Sequence, residues 1–202
     1  ADGADPLAFA RERFRLPDLL AYFDGPAGLR PRYSTPALRL QLPPDAADPA
    51  GLAVDWRAPI TIQSDAAAAG AVIPGGMTLR WLVRPQRSVQ GILPMALFYP
   101  RGIAGPHLVL TLMQARPGRV IDAVIQLDGD TASFVVDGVM QRREELPADL
   151  QPTDAWALVL CGAAADWERP EPPPAYRLLS LSLHAGVLDE AALQRLPDRP
   201  FR

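Results

Sequence analysis

The stretch VIDAVIQLDGDTASFVVDGV, residues 120–139, decides the fold class. It contains two runs of alternating apolar residues joined by Asp128-Gly129-Asp130, and the second run closes on Asp137-Gly138. Asp-Gly between alternating runs is a strong hairpin signal, because glycine adopts positive φ without a Cβ clash. The stretch therefore predicts antiparallel β-strands.

Outward from this hairpin, short runs with a period of two residues recur along the chain, separated by Gly, Pro and Asp turns. These runs are residues 19–23, 37–42, 52–56, 60–63, 77–84, 92–99, 107–113, 156–161 and 176–184. Runs 52–56 and 60–63 are predicted to pair with each other, hinged between them by Arg57-Ala58-Pro59. So many short strands predict an all-β jelly-roll sandwich of two antiparallel sheets.

Short helices are predicted at both ends of the chain. Pro6 follows an aspartate and suits the first position of a helix that stops before Pro17. Near the C-terminus, Asp189 is predicted to cap a helix over residues 190–196.

The strand series is interrupted by a proline-rich segment, residues 163–174. Because strands precede and follow it, we interpret this segment as a surface loop and not as a domain linker. The predicted organisation is an N-terminal extension with a short helix, residues 1–16, and one jelly-roll domain, residues 17–202.

Composition excludes several classes of protein. Hydrophobic residues make up 49% and charged residues 21% of the chain, values typical of a folded globular protein. A net charge of −3 creates no field that attracts nucleic acid. No apolar run approaches the roughly 20 residues of a transmembrane segment. The single cysteine, Cys161, rules out a disulfide within the chain and is predicted to be a small buried apolar residue.

Four segments occur in the order found in a known family. They are GLAVDWRAPITIQS (51–64), MTLRWLVRP (77–85), AVIQLDGDTASFVVDGV (123–139) and YRLLSLSLHAGVLDEAAL (176–193). This pattern resembles the LamG-like jelly rolls of the concanavalin A-like lectin/glucanase superfamily. The resemblance implies a concanavalin A-like sandwich that binds a glycan or a partner protein.

Members of that family often hold a structural calcium ion with acidic residues of the closing segment and an aspartate of an N-terminal strand. In this sequence Leu179 and Ser180 stand at the acidic positions, and His184 stands at a family tyrosine. Asp24 matches the N-terminal aspartate, but calcium needs six to eight oxygen ligands and a leucine supplies none. We therefore predict no calcium, no other metal and no cofactor.

The sequence also argues against an enzyme. Glycoside hydrolysis needs two carboxylates across the scissile bond. The superfamily's glucanases arrange theirs as Glu-x-Asp-x-x-Glu, a spacing that no glutamate of this chain shows, and we place all glutamates in helices or loops. The chain has no Gly-x-Ser-x-Gly elbow, and its two histidines lack zinc-ligand spacing. A degenerate glycoside hydrolase is kept as an alternative.

Alternation within strands assigns residues to faces. Ser180, Ser182 and His184 share one side of the last strand, which we predict to be an ordinary solvated side of a sheet. Trp81 and Trp156 lie inside alternating strands and are assigned to the core.

Candidate ligand-binding residues follow from residue type, because lectin-like sandwiches bind sugars with aromatic faces and arginines in edge loops. They are Trp167 in the proline-rich loop, Trp56 with Arg57, and Tyr99 with Arg101. Trp56 and Tyr99 have an alternative role, which is to close the rim of the sandwich.

The N-terminal helix is a candidate partner-binding element, because Leu7 and Phe14 share one face beside Arg11. Its default role is to cover the sandwich. The function that these patterns favour is a non-catalytic, extracytoplasmic (periplasmic or secreted) module that binds a glycan or a protein. An accessory structural subunit of a cell-envelope or membrane-bound assembly is the alternative.

Overall fold

β-strands make up nearly all of the described chain. The computed structural model describes residues 19–24, 32–34, 38–41, 51–54, 59–64, 76–86, 89–100, 108–128, 131–145, 156–160 and 176–195. The strands are β1 (Leu19–Asp24), β2 (Arg32–Ser34), β3 (Leu38–Gln41), β4 (Leu52–Val54), β5 (Ile60–Ser64), β6 (Met77–Pro85), β7 (Val89–Pro100), β8 (Leu108–Ala115), β9 (Ile121–Asp128), β10 (Thr131–Val136), β11 (Val139–Glu145), β12 (Trp156–Leu160) and β13 (Tyr176–Ala185). A short helix, α1 (Glu190–Arg195), follows β13.

The strands form two antiparallel sheets, which confirms the predicted all-β sandwich. The larger sheet has eight strands in the order β11-β10-β9-β6-β13-β1-β2, with β4 also paired to β13. The smaller sheet has five strands in the order β3-β5-β12-β7-β8. Because strands adjacent in sequence often lie in different sheets, the chain crosses repeatedly between the two layers.

The antiparallel strands predicted for residues 120–139 are confirmed. β9 and β10 pair antiparallel, with Asp128 opposite Thr131. β10 turns into β11 through Asp137, at φ 51°, and Gly138, at φ 77°. Positive φ at both central residues defines a type I′ turn, whose twist matches that of the flanking strands.

We expect Asp137→Ala to lower the free energy of unfolding by about 1–2 kcal/mol. Asp137 is a non-glycine residue at positive φ, its Oδ1 accepts a hydrogen bond from the backbone N–H of Asp122 at 3.0 Å, and its Oδ2 lies 2.7 Å from Nη2 of Arg119. Alanine loses both contacts and tolerates positive φ poorly. Asp137→Asn keeps the turn preference and one acceptor, and should lose less than half as much in urea denaturation. Equal losses in the two variants would contradict the assignment of the main effect to the turn.

Two strands were missed by the sequence patterns. β2 has only three residues, too few to show a period of two. Most residues of β11 are exposed, so this strand shows almost no apolar alternation. β11 is the terminal strand of the larger sheet, and its run of charged residues (Arg142 to Glu145) suits an edge that must not pair with another chain. The prediction that all glutamates lie in helices or loops is therefore wrong, since Glu144 and Glu145 lie in this strand.

The predicted pairing of runs 52–56 and 60–63 is also wrong. β4 pairs with residues Tyr176–Leu178 of β13 in the larger sheet, whereas β5 pairs with β3 and β12 in the smaller one. The physical reason is that both strands have two buried apolar residues to place in the core, and opposite layers accommodate them.

The core lies between the sheets and is centred on Trp81. Its ring stacks on Phe134, with centroids 6.3 Å apart and an interplanar angle of 17°. Trp81 pairs directly with Ala123 on the intervening strand β9, where the small side chain leaves room for the tryptophan to reach β10. The assignment of Trp81 to the core is confirmed, since it is fully buried. Trp156 begins β12, but its side chain lies outside the described part of the structure.

The C-terminal helix is confirmed together with its cap. Oδ1 of Asp189 accepts a hydrogen bond from the N–H of Ala192 at 2.6 Å, which satisfies a donor of the first turn. The predicted N-terminal extension, residues 1–16, lies outside the described residues.

Candidate binding surface

The larger sheet carries a polar side that points away from the smaller sheet. Alternation on its three central strands sends Met77, Leu79, Trp81 and Val83 to the core and the intervening residues outward. We call this outward side the polar face, and its hydrogen-bonding residues are Thr78, Arg80, Arg84, Asp122, Gln126, Arg177, Ser180, Ser182 and His184.

Cross-strand register arranges the polar face in rows. Thr78 of β6 lies between Gln126 and His184, and the next row places Ser182 beside Arg80. A register shift between Leu178 and Ser180 separates these rows from a last one, in which Arg84 lies opposite Arg177. Neighbouring residues of one row have Cβ atoms about 4.5–5.5 Å apart, so their side chains interact directly.

One end of the polar face is sealed by the connection between β13 and α1. The hydroxyl of Thr78 donates to the carbonyl of Gly186 at 3.0 Å and accepts a hydrogen bond from the N–H of Leu188 at 2.9 Å. Nε2 of Gln126 donates to the carbonyl of the same leucine. His184, in the same row, is fully buried.

The prediction of a solvated side for Ser180, Ser182 and His184 is therefore wrong. The two serines are 9% exposed, and the histidine is 0% exposed. Alternation identified residues that share a face, but the Gly186–Leu188 connection over one row of that face is a tertiary feature that alternation does not encode.

The middle of the polar face holds a buried ion pair. Nε and Nη2 of Arg80 donate to the two carboxylate oxygens of Asp122 at 2.9 and 2.7 Å. The Arg80 side chain is 8% exposed and the Asp122 side chain 34%. The backbone of Asp122 is in turn held by Asp137, whose N–H donates to the Asp122 carbonyl at 2.8 Å. These contacts hold the Asp122 carboxylate in position as an acceptor for Arg80.

The other end of the polar face is open, and it consists of Arg84, Arg177 and Ala53. The alanine pairs with Arg177 on β4 and is exposed, and both arginines are partly exposed. Nη1 of Arg177 donates to the carbonyl of Gly51 at 3.3 Å. We refer to these three residues as the open end. In this part of the polar face the arginine side chains are partly exposed to solvent.

The site residues suggested by the sequence are not tested by the structure. Trp56, Arg57, Arg101 and Trp167 lie outside the described residues. Tyr99 lies in β7 opposite Ala157, and its side chain is also outside the described part. These residues remain predictions.

The same holds for the N-terminal residues suggested as a partner-binding element, Leu7, Arg11 and Phe14, and for Cys161. Asp24, the family's match for a calcium ligand, pairs through its backbone with Ser180. Within the described ranges, no group of three or more His, Cys, Asp or Glu residues is arranged to hold a metal ion.

Sequence patterns missed the arginines of the polar face. The signal was present in MTLRWLVRP, where Arg80 and Arg84 occupy alternate positions of an otherwise apolar strand. The ion pair of Arg80 with Asp122 depends on the register of strands far apart in sequence, and so does the position of Arg84 opposite Arg177.

Among the helices that the structure describes, none is long and apolar enough to span a membrane.

Comparison with solved structures supports the architecture. The chain superposes on Trypanosoma rangeli sialidase, in complex with 2,3-difluorosialic acid, with a TM-score of 0.63 and 12% sequence identity over 89% of its length. It superposes with a TM-score of 0.56 on botulinum neurotoxin type C, whose cell entry depends on interaction with two ganglioside molecules, at 5% identity over 92% of its length. The binding domain of botulinum neurotoxin serotype D gives a TM-score of 0.56 at 6% identity over 87% of this chain.

These likenesses show the fold alone. The chain spans 32% of the sialidase, 51% of the type C neurotoxin structure and 50% of the serotype D domain. No family model matches the sequence, and no curated protein matches it.

Proposed function

We propose that this chain is a non-catalytic, extracytoplasmic, LamG-like module that binds a glycan. The proposal rests on the arrangement of the charged groups on the polar face. Its carboxylate, Asp122, is committed to Arg80 by two hydrogen bonds, whereas guanidinium donors are partly exposed at the open end. Such a surface can hold hydroxyl or acidic groups of a sugar.

The same observation argues against glycoside hydrolysis. A hydrolase needs one protonated acid and a second carboxylate at the scissile bond. Both oxygens of the Asp122 carboxylate accept hydrogen bonds from Arg80, so this carboxylate is already engaged within the protein. Because the chain is structurally similar to a sialidase, a degenerate glycoside hydrolase stays the alternative function, and a turnover assay tests it.

The chain also resembles half of two structures described as neurotoxin binding domains, and this likeness is the support that the comparisons give to a binding role. The extracytoplasmic location belongs to the proposal and follows from the LamG-like resemblance of the four sequence segments.

We expect the purified chain to bind at least one class of oligosaccharide on a glycan array, saturably and without releasing products. Cleavage of a bound glycan would replace the proposal with a hydrolase, provided that a single carboxylate substitution removes the activity. A negative array would contradict glycan binding. Stoichiometric co-purification with one protein of the cell envelope, lost in a Leu7→Ala/Phe14→Ala variant, would instead support the structural-subunit alternative.

A further inference from the structure

We infer that the hairpin of β10 and β11 docks on the surface of an anionic lipid bilayer, with its turn inserted at the level of the lipid headgroups. This function goes beyond glycan binding and does not depend on it. Two observations carry the inference: a pair of exposed apolar side chains at the turn, and exposed arginines placed beside and behind that pair.

The first observation is the position of the exposed apolar side chains. Within the part of the chain that the structure describes, three large apolar side chains are exposed: Val139 by 61%, Met140 by 52% and Val187 by 40%. The first two are consecutive and directly follow the type I′ turn. A single exposed apolar residue is ordinary, whereas two adjacent ones at the turn of an edge hairpin indicate a contact surface.

The two apolar residues lie on opposite sides of the hairpin. Because successive side chains of a strand point to opposite faces, Val139 lies opposite Val136 on the core side, and Met140 lies opposite Val135 on the polar face. β11 is exposed on both sides, so the sandwich covers neither of them. A flat partner surface would bury only one of the pair, whereas insertion of the turn end-on into a bilayer buries both.

The aspartate of the turn does not present a negative charge to such a surface. Oδ1 of Asp137 accepts a hydrogen bond from the N–H of Asp122 at 3.0 Å, and Oδ2 lies 2.7 Å from Nη2 of Arg119. The Asp137 side chain is 30% exposed, whereas the Arg119 side chain that pairs with it is 65% exposed. The group that solvent, or a membrane, meets at this turn is therefore mainly the guanidinium.

The sequence along β11 follows the order of layers at a membrane surface. The apolar residues 139–140 come first, the arginines 142–143 follow, and the glutamates 144–145 end the strand. At the rise of an extended strand, the arginines lie roughly 10–13 Å and the glutamates roughly 17–20 Å behind Val139. Since interfacial apolar groups insert about 5–10 Å, the arginines reach the phosphate level while the glutamates stay in water.

The second observation is the charge around the turn. Arg116 is exposed on the turn that also carries Arg119, and Arg143 is exposed on β11. Neither Arg116 nor Arg143 forms an ion pair within the described residues, whereas Arg142 contacts Glu144 at 2.6 Å. Arginines attract an anionic bilayer within a Debye length, about 10 Å at 0.1 M salt. The local charge therefore acts although the whole chain carries a net charge of −3.

The test measures co-sedimentation of the whole chain with phospholipid vesicles. Vesicles of phosphatidylcholine with phosphatidylserine are compared with vesicles of phosphatidylcholine alone, at low and at high salt. Neither vesicle carries a glycan, so the result does not depend on the proposed function. All substitutions are at exposed positions, and circular dichroism establishes that the variants are folded.

Matched controls exist for both parts of the surface. Val139→Thr is compared with Val187→Thr, the same change at an exposed valine that lies beside Gly76, at the other end of the larger sheet. Arg143→Gln is compared with Arg39→Gln, the same change at an exposed arginine on β3, the terminal strand of the smaller sheet.

We expect binding to the anionic vesicles that weakens at high salt, and little binding to phosphatidylcholine alone. Val139→Thr/Met140→Gln should weaken the binding about tenfold, and Val139→Thr alone about threefold, because less apolar surface enters the bilayer. Arg143→Gln should weaken it about fivefold. Both controls, Val187→Thr and Arg39→Gln, should change it by less than about twofold.

Each contrary result overturns a stated part of the inference. Absence of binding to the anionic vesicles at low salt overturns it entirely. Equal losses in Val139→Thr and Val187→Thr, or in Arg143→Gln and Arg39→Gln, show that the hairpin is not the contact. Binding that needs Arg143 but is unchanged in Val139→Thr/Met140→Gln overturns insertion of the turn. Glycan binding by these variants is measured separately, and its loss or retention leaves this conclusion unaffected.

Discussion

We expect Asp122→Asn to lower the free energy of unfolding by about 3 kcal/mol, because the buried guanidinium of Arg80 then loses the negative charge of Asp122. The Arg80 side chain is 8% exposed and makes two hydrogen bonds to the carboxylate, so little water reaches the guanidinium to compensate for the lost charge. Asparagine keeps the size of the side chain and one acceptor but removes the negative charge. Urea denaturation followed by tryptophan fluorescence measures the change.

The control lies on the same strand. Asp128→Asn makes the identical chemical change at the exposed end of β9 and should alter stability by less than about 0.5 kcal/mol. A double variant, Arg80→Met/Asp122→Leu, removes both charges and should recover most of the stability lost in Asp122→Asn, since a buried ion pair contributes little relative to apolar residues of similar volume. If Asp122→Asn and Asp128→Asn unfold at the same urea concentration, the pair has no structural role.

The Asp122→Asn variant also distinguishes effects on stability from effects on ligand binding at the polar face. Asp122→Asn leaves Arg84 and Arg177 on strands whose register is set by the core residues between them. A loss of glycan binding that merely follows unfolding would appear in this variant as well as in Arg84→Gln. Binding that persists in folded Asp122→Asn and fails in Arg84→Gln assigns recognition to the open end.

Much of the fold follows from local sequence signals. The alternation of MTLRWLVRP predicts a strand with Trp81 inside, and the structure buries that residue completely. Asp137-Gly138 predicts a tight hairpin, and both residues adopt positive φ. These signals are local because a strand's period and a turn's φ angles depend on a few consecutive residues.

Signals failed where a long-range contact determines the outcome. β11 has almost no apolar alternation, but the type I′ turn before it requires a returning strand. The turn residues therefore predict this strand better than its own alternation does. β4 and β5 are neighbours in sequence, but β4 pairs with β13 instead. No property of residues 52–63 alone encodes that partner.

The candidate site was predicted least well for the same reason. Alternation placed Ser180, Ser182 and His184 on one face correctly, but it carried no information on what covers that face. The juxtaposition of Arg84 with Arg177 depends on the register between β6 and β13, including a shift between Leu178 and Ser180. The aromatic residues proposed from the sequence, Trp56 and Trp167 above all, stay predictions.

Gly76→Ala is expected to lower the free energy of unfolding by about 4 kcal/mol, because two unfavourable effects combine. Gly76 has φ +98°, a conformation that L-residues rarely adopt. A Cβ at this position would lie 2.3 Å from the carbonyl oxygen of Leu127 and 3.0 Å from Cγ2 of Val187. The first contact is with backbone of the neighbouring strand, so it can be relieved only if β6 and β9 move apart.

The matched control is Gly118→Ala, at φ +78° with no atom within 4 Å of the added Cβ. It measures the conformational effect alone and should lower stability by about 1 kcal/mol. The additional loss in Gly76→Ala should extend to the seal of the polar face, because the carbonyl of Gly76 accepts a hydrogen bond from the N–H of Gly186 at 2.8 Å. Amide hydrogen exchange at Leu188, whose N–H donates to Thr78, should accelerate in Gly76→Ala and stay unchanged in Gly118→Ala. Equal stability and equal exchange in the two variants would contradict a backbone clash at Gly76 and, with it, the tight closure of β6 against the Gly186–Leu188 connection.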